Sequence, residues 1–213
     1  MKRDRWLHFG LFCAAAIALW FPLRAAVHHA RNRALLQLVE AGNYSYSSSD
    51  VYADVKALLL KGADVNARDE HGKSLISKAV SNTDTHMIDL LERFGARKDA
   101  KTEWFASALM GRTATIEKML ASGTKPDLRN DEGNTALHLA ARKGRVAVVK
   151  LLLKHGAPIN LRNTANATPF DSAGAGSQNR SNEVDNPEEV VRILKAAGAK
   201  HSSQIYPGFS YPR

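Results

Sequence analysis

The chain has 213 residues, 44% hydrophobic and 24% charged, which is the make-up of a globular protein with room for one sizeable core. Its formal charge is +9 and stays at +7 beyond residue 23, where 27 Lys and Arg face 20 Asp and Glu; so diffuse an excess bears on association and solubility, not on fold. The one cysteine, Cys13, excludes disulfides within the chain, cysteine-based metal centres and a thiol nucleophile in the body of the protein.

Met1-Lys-Arg-Asp-Arg5 leads into an 18-residue apolar run from Trp6 to Leu23, interrupted only by His8 as a strongly polar residue and closed by Pro22 and Arg24. The run is near the lower limit of the ~17 to 25 residues that cross a bilayer and longer than the ~7 to 15 of a secretory core. Small residues for cleavage are poorly placed, Leu23-Arg24-Ala25 being the best site after the run. The reading is therefore an uncleaved signal anchor over residues 1–25, an N-terminal hydrophobic helix with Trp6 and Trp20 as interfacial aromatics. Cleavage to a secreted or periplasmic protein is the alternative. Lys2, Arg3 and Arg5 on one side face Arg24, Arg31 and Arg33 on the other, so charge specifies orientation weakly. A short basic N-terminus that stays inside exports the remainder to the periplasm or an equivalent space.

Beyond residue 31 the chain is self-similar. Gly72-Lys-Ser-Leu-Ile-Ser-Lys-Ala79, Gly133-Asn-Thr-Ala-Leu-His-Leu-Ala140 and Asn166-Ala-Thr-Pro-Phe-Asp-Ser-Ala173 align, with Ser74, Thr135 and Thr168 spaced by 61 and 33. A second ladder of glycines, Gly62, Gly95, Gly123, Gly156 and Gly198, is spaced by 33, 28, 33 and 42. The unit is about 33 residues, with copies at 31–69, 70–98, 99–130, 131–163 and 164–200 and a 9-residue insertion in the last. Apolar residues at helical spacing, such as Leu137, Ala140 and Ala141 and then Val148, Val149, Leu151 and Leu152, predict two short helices per copy. The glycine after the second helix supplies a left-handed cap. Such a pair cannot bury its apolar stripe alone, so neighbours must stack into one core.

Asp131-Glu-Gly-Asn-Thr-Ala-Leu-His-Leu-Ala-Ala141, Gly144, Val148-Val-Lys-Leu-Leu-Leu-Lys-His-Gly-Ala157 and Ile159-Asn160 closely resemble the ankyrin repeat family. The resemblance implies an all-α solenoid of about five helix-turn-helix repeats with short β-hairpin fingers, a protein-binding function and no enzyme activity. Departures from the pattern are informative. The first copy inserts Tyr44-Ser-Tyr-Ser-Ser-Ser49. In the third, seven residues join Gly95 to Thr102 where twelve join Gly123 to Thr135, so its finger should be truncated. The last inserts Gly174 to Asn182 before a helix capped by Asn186 and begun by Pro187. His201 to Arg213 reads as a flexible tail.

Candidate chemistry is sparse. His138 lies in the turn motif, where a backbone-bonding role is expected. The other histidines lack the spacing and companion ligands zinc needs, and no cofactor is implied. Ser107, Ser172 and Ser177 have no nucleophile context, and Gly174-Ala-Gly-Ser177 is not a phosphate loop. Trp104 takes the place of the motif leucine, where packing is its expected role. In ankyrin proteins hairpin tips and first helices line a concave groove. By alignment this implies Asp69, His71, Lys73, Ser81 and Asn82 in the second copy, Leu109 and Met110 as an exposed apolar anchor in the third, and Asn130, Glu132, Asn134, Arg142 and Lys143 in the fourth. Arg68, Arg129 and Arg162 recur before three fingers and Arg112 aligns with Arg145; together they would make a basic stripe for an acidic protein, or a merely solvated face. The expected partner is a protein met by a monomer, with the membrane contacted through residues 6–23. A bacterial immunity or accessory protein neutralising an effector is an alternative. A basic nucleic-acid-binding protein is a weaker one, since no aromatic-basic platform or recognition helix supports it and no nucleic acid is expected.

Overall fold

The computed structural model describes residues 24–40, 48–176 and 186–205. The apolar run at 6–23 and most of the Tyr44–Ser49 insertion lie outside them; among the described residues no helix is long and apolar enough to cross a membrane. Residues 24–40 form helix α1. It is followed by α2 (Ser48–Leu60), α3 (Leu75–Ser81), α4 (Thr85–Arg93), α5 (Ala100–Met110), α6 (Thr113–Ala121), α7 (Ala136–Arg142), α8 (Val146–Lys154), α9 (Pro169–Gly176), α10 (Pro187–Ala196) and α11 (Ser202–Ile205).

Most starts are set by side-chain caps that satisfy otherwise orphaned N–H groups. Ser74 accepts from Ser77 N at 3.3 Å, Asp84 from Met87 N at 3.0 Å, Asp99 from Thr102 N at 2.7 Å and Asn186 from Glu189 N at 2.9 Å. The glycine ladder ends the second helices, with φ between 75° and 94° at all five positions. Between the two helices of a copy the chain again turns through a left-handed residue, Gly111 (φ 77°) and Gly144 (φ 67°), but in the second copy Thr83 does so at φ 55°. A β-branched side chain is strained there. Thr83→Gly is expected to raise stability by about 0.5–1 kcal/mol, read as a higher urea midpoint at unchanged slope.

Helices α3, α5, α7 and α9 stack side by side as an inner layer, and α2, α4, α6, α8 and α10 back them as an outer one. Position in the stack decides burial. Inner helices α5 and α7 are covered by a helix on each side and one behind, so Ala136 through Ala141 are all buried, as is α5 from Trp104 to Leu109. Outer helices are covered on one face: α4 buries only Met87, Ile88 and Leu91, and α10 only Val190 and Leu194. Trp104 is fully buried, as its place in the leucine register requires, although its indole N–H has no partner among the described residues. The expectation that Leu109 and Met110 form an exposed anchor is corrected here. Leu109 is 0% exposed and Met110 packs against the core, because α5 is flanked by α3 and α7 and backed by α6; Arg145 also crosses from the next copy and donates from Nε to the Leu109 carbonyl at 2.8 Å.

Asparagines tie successive copies: Asn32 accepts from Asp64 N at 2.9 Å, Asn66 from Arg97 N at 2.7 Å and Asn160 from Lys200 N at 2.8 Å. In the first copy Tyr52 donates to both carboxylate oxygens of Asp84 at 2.9 and 3.0 Å, fastening α2 to the start of α4. Burial, with the Asp84 charge, pushes the phenol up to about 12. Residues 201–205, read in sequence as the start of a flexible tail, are held: Ser202 is buried and Asp171 accepts its N–H at 3.2 Å, docking α11 onto α9, while residues 206–213 lie outside the described residues.

Candidate functional site

Three homologous turns project from the inner layer, at 69–73, 130–134 and 163–167. In each, the first residue donates its N–H to the fifth residue's carbonyl at 3.0 Å, and the fourth residue's N–H returns to the first residue's carbonyl at 3.0 Å. The first side chain completes the loop. Asp69 accepts from Lys73 N at 2.8 Å, Asn130 from Asn134 N at 2.8 Å and Asn163 from Ala167 N at 2.9 Å. The fourth residue must be left-handed, which selects Gly72, Gly133 and, as the least costly substitute, Asn166 at φ 62°. The expected β-hairpin fingers are shorter than strands: among the described residues two are closed by single antiparallel bridges, Arg68 to Ser74 and Arg129 to Thr135.

The last two fingers interlock. Thr164 donates from N and Oγ1 to the Glu132 carbonyl at 3.0 and 2.9 Å, Asn163 Nδ2 to Asn134 Oδ1 at 2.7 Å, and Arg129 Nη1 to the Arg162 carbonyl at 2.7 Å. The third copy has no such finger, as its short connection predicts: the chain runs from Gly95 straight to the Asp99 cap of α5. A cleft of about 200 Å³ opens in its place between the second and fourth fingers, bordered by Arg68, His71, Lys73 and Lys101 and closed on the far side by Asn130 and Asp131. Lys73 and Lys101 reach across to Asp131 at 2.8 and 3.3 Å. Those two ammonium groups hold the Asp131 carboxyl below its ordinary range, Lys73 most strongly, and the Asp131 carboxylate in turn raises Lys73.

The basic residues aligned from the repeat do not act as one free stripe. Arg112 forms a double hydrogen bond with Glu92, one arm at 2.8 Å, and Lys98 joins Glu92 at 2.7 Å; Arg112, then burial-opposed Lys98, keep that carboxylate below its usual range. Arg145 is spent on the Leu109 carbonyl, and Arg162 on Asn166 Oδ1 at 2.7 Å. Arg68 folds back to the Gly72 carbonyl at 2.7 Å, and Arg129 bridges two fingers, although both residues remain exposed. Asp69 is held by Lys78 at 2.8 Å, which lowers its carboxyl. Asn134 is 8% exposed, Glu132 works through its carbonyl, and Asn82 donates to the Val39 carbonyl at 3.3 Å. Beside Arg68 and Arg129, the aligned side chains His71, Lys73 and Arg142 stand exposed, with Lys143 half-buried beside Arg142. Lys101 and Asp131 belong to the cleft but are not among the aligned groove positions; the missing finger leaves Asp131 within reach of both Lys73 and Lys101.

His138 takes the backbone-bonding position. Its Nδ1 accepts the Thr135 N–H at 3.1 Å in a reciprocal capping box, which leaves the proton on Nε2, 3.1 Å from the Ala167 carbonyl of the next finger. Burial depresses the imidazole to about 4. One serine–histidine–aspartate chain does form: Ser203 Oγ lies 3.1 Å from His201 Nδ1, and His201 Nε2 3.1 Å from Asp171. It is a local cap. The Ser202 N–H points to Asp171 and the Ser203 N–H to the same imidazole, so neither is directed at a reacting oxyanion. Among the described residues no group of three or more His, Cys, Asp or Glu could hold a metal ion.

Comparison with known proteins agrees with this geometry. Residues 132–164 match the ankyrin repeat family. The chain is also similar to the transient receptor potential cation channel subfamily A member 1 homolog of Caenorhabditis elegans, 30% identical over 115 residues. That alignment takes in 51% of this chain and 10% of the channel homolog, so the chain spans a small part of that relative's length. The stacked helix pairs, the repeated Asx-closed turns and these similarities together support an ankyrin repeat protein.

Proposed function

We propose that this chain is a non-enzymatic protein-interaction module that receives a protein partner along its inner helices and finger tips. The observation that carries this reading is the set of fingers itself: three turns of one closed design on a continuous core, the last two bonded to each other, with His71 and Lys73 exposed on the second finger and Arg142 at the end of α7. Residues 6–23 anchor the module in a membrane with the repeats on the exported side; the basic start and apolar run support that placement, and the chain acts there as a monomer. Cross-linking in the native cell, followed by purification of the full chain, should yield one recurrent protein. Its recovery should fall about tenfold with Arg142→Glu combined with His71→Glu, both exposed positions where substitution leaves the core intact. Equal recovery by wild type and variant rejects the finger surface as the binding face. Protease digestion of the full chain only after the outer compartment is opened supports the exported anchor; a soluble, full-length cytosolic chain rejects it.

A further inference from the structure

The junction of the fourth and fifth fingers shows what one finger normally offers the next. Towards its predecessor the fifth finger presents Asn163 Nδ2, the Thr164 N–H and the Arg162 carbonyl, and all three are met by the fourth. The fourth finger presents the same set one copy earlier, as Asn130 Nδ2, the Asp131 N–H and the Arg129 carbonyl, but it faces the vacant third position. Asn130 Nδ2 is buried there and has no hydrogen-bond partner among the described residues. An unmet buried amide is costly, so it marks a place where an acceptor is missing. On the opposite wall Arg68, whose counterpart Arg129 reaches forward to the next finger, turns back to its own Gly72 carbonyl. The cleft also carries more positive than negative charge: Arg68, Lys73 and Lys101 surround Asp131 and the cap residue Asp99.

We infer that the cleft left by the missing third finger is a docking slot for an acidic reverse turn of a partner protein, which completes the row of fingers. The turn's main-chain or side-chain oxygen accepts from the Asp131 N–H and from Asn130 Nδ2, which is buried in the free chain and must turn into the slot to be reached. Its carboxylate takes Lys73 and Lys101, displacing Asp131 from the two ammonium groups it now holds at 2.8 and 3.3 Å. A turn fits because the neighbouring positions are themselves turns of five residues closed at 3.0 Å. An acidic one fits because two exposed lysines share the Asp131 carboxylate and Arg68 adds a third positive charge, against Asp131 and the cap residue Asp99. The inference rests on the protein-binding reading and specifies where on that surface, and by what chemistry, the partner engages.

The test uses the full-length chain and a cyclised peptide bearing an Asn-Asp-Glu-Gly-Asn turn, with an amidated control in which Asp and Glu become Asn and Gln. Binding is followed by the Asn130 side-chain and Asp131 main-chain amide signals. The acidic peptide should shift both signals at submillimolar concentration. Lys73→Ala with Lys101→Ala should weaken binding about tenfold, and the amidated peptide should bind about tenfold more weakly than the acidic one. Asp131→Asn, which removes the competing carboxylate, should tighten it severalfold. No shift at millimolar peptide, equal binding of the two peptides, or indifference to the lysine pair overturns the slot. Saturation of the same signals by inorganic phosphate alone also overturns it, in favour of a simple anion site. If a cross-linked native partner maps to Arg142, outside the cleft, while the peptide fails, the protein-binding reading stands and the slot falls.

Discussion

Gly133→Ala should lower the stability of the chain by about 3 kcal/mol, far more than the same change at Gly156. Both glycines are left-handed, at φ 71° and 75°, so an added methyl carries a backbone cost of about 1–2 kcal/mol at either. They differ in what the methyl meets. At Gly156 nothing lies within 4 Å, whereas at Gly133 it would sit 2.9 Å from Thr164 N and 3.2 Å from Asn163 Cα. Those are main-chain atoms of the fifth finger, which cannot rotate away. The fingers must part, and the Thr164 bonds to the Glu132 carbonyl are lost with them. Because each copy in a stack is held mainly by its neighbour, the damage should fall on the last copy. Urea unfolding of the two variants gives the difference, and amide exchange should show loss of protection concentrated in α9 and α10. Equal destabilisation at Gly133 and Gly156 would mean that the fingers are not in contact in solution.

The second large effect is expected in acid. His138 is 1% exposed and its imidazole is pushed by burial to about 4, with the Arg129 guanidinium adding to the shift. Below pH 6.5 the unfolded chain takes up a proton at this position that the folded chain refuses. Stability is therefore complete above pH 6.5 and falls as pH drops towards 4, by about 3 kcal/mol over the window. Glu92, Asp99 and Asp131, all lowered by their partners, add their losses only where carboxylates ordinarily protonate. His138→Gln retains a capping side chain but carries no titrating group. It should be less stable than wild type by about 1–2 kcal/mol at pH 7.5, having lost the reach to the Ala167 carbonyl, and should cross over near pH 5. Stability curves of wild type and variant that run parallel between pH 7 and 4 would sink the assignment.

What could be read in advance follows from where the determinants lie. Helix pairs, their glycine stops, the backbone role of His138 and the absent third finger are all encoded within one 33-residue unit, as apolar spacing, cap residues and connection length. Those are local causes, and a sequence displays them directly. The exposure of Leu109 was not local. By alignment it sits at the open end of an inner helix, yet it is covered because the helices of the neighbouring copies flank α5 on both sides, and Arg145, 36 residues on, bonds its carbonyl. The basic stripe dissolved largely for the same reason: Arg112 and Arg145 have partners reached through the fold, 20 and 36 residues away, while Arg162 bonds Asn166 within its own finger. Conversely, Lys101 and Asp131 are not among the aligned groove positions, and Asp131 meets Lys73 and Lys101 only because stacking brings the second and fourth fingers to either side of a vacant position. The amino-acid sequence by itself determined that this chain stacks, and how each copy begins, turns and stops; the tertiary structure alone decided which charges are consumed between copies and which buried amide is left without an acceptor, because both depend on what the neighbouring copy presents.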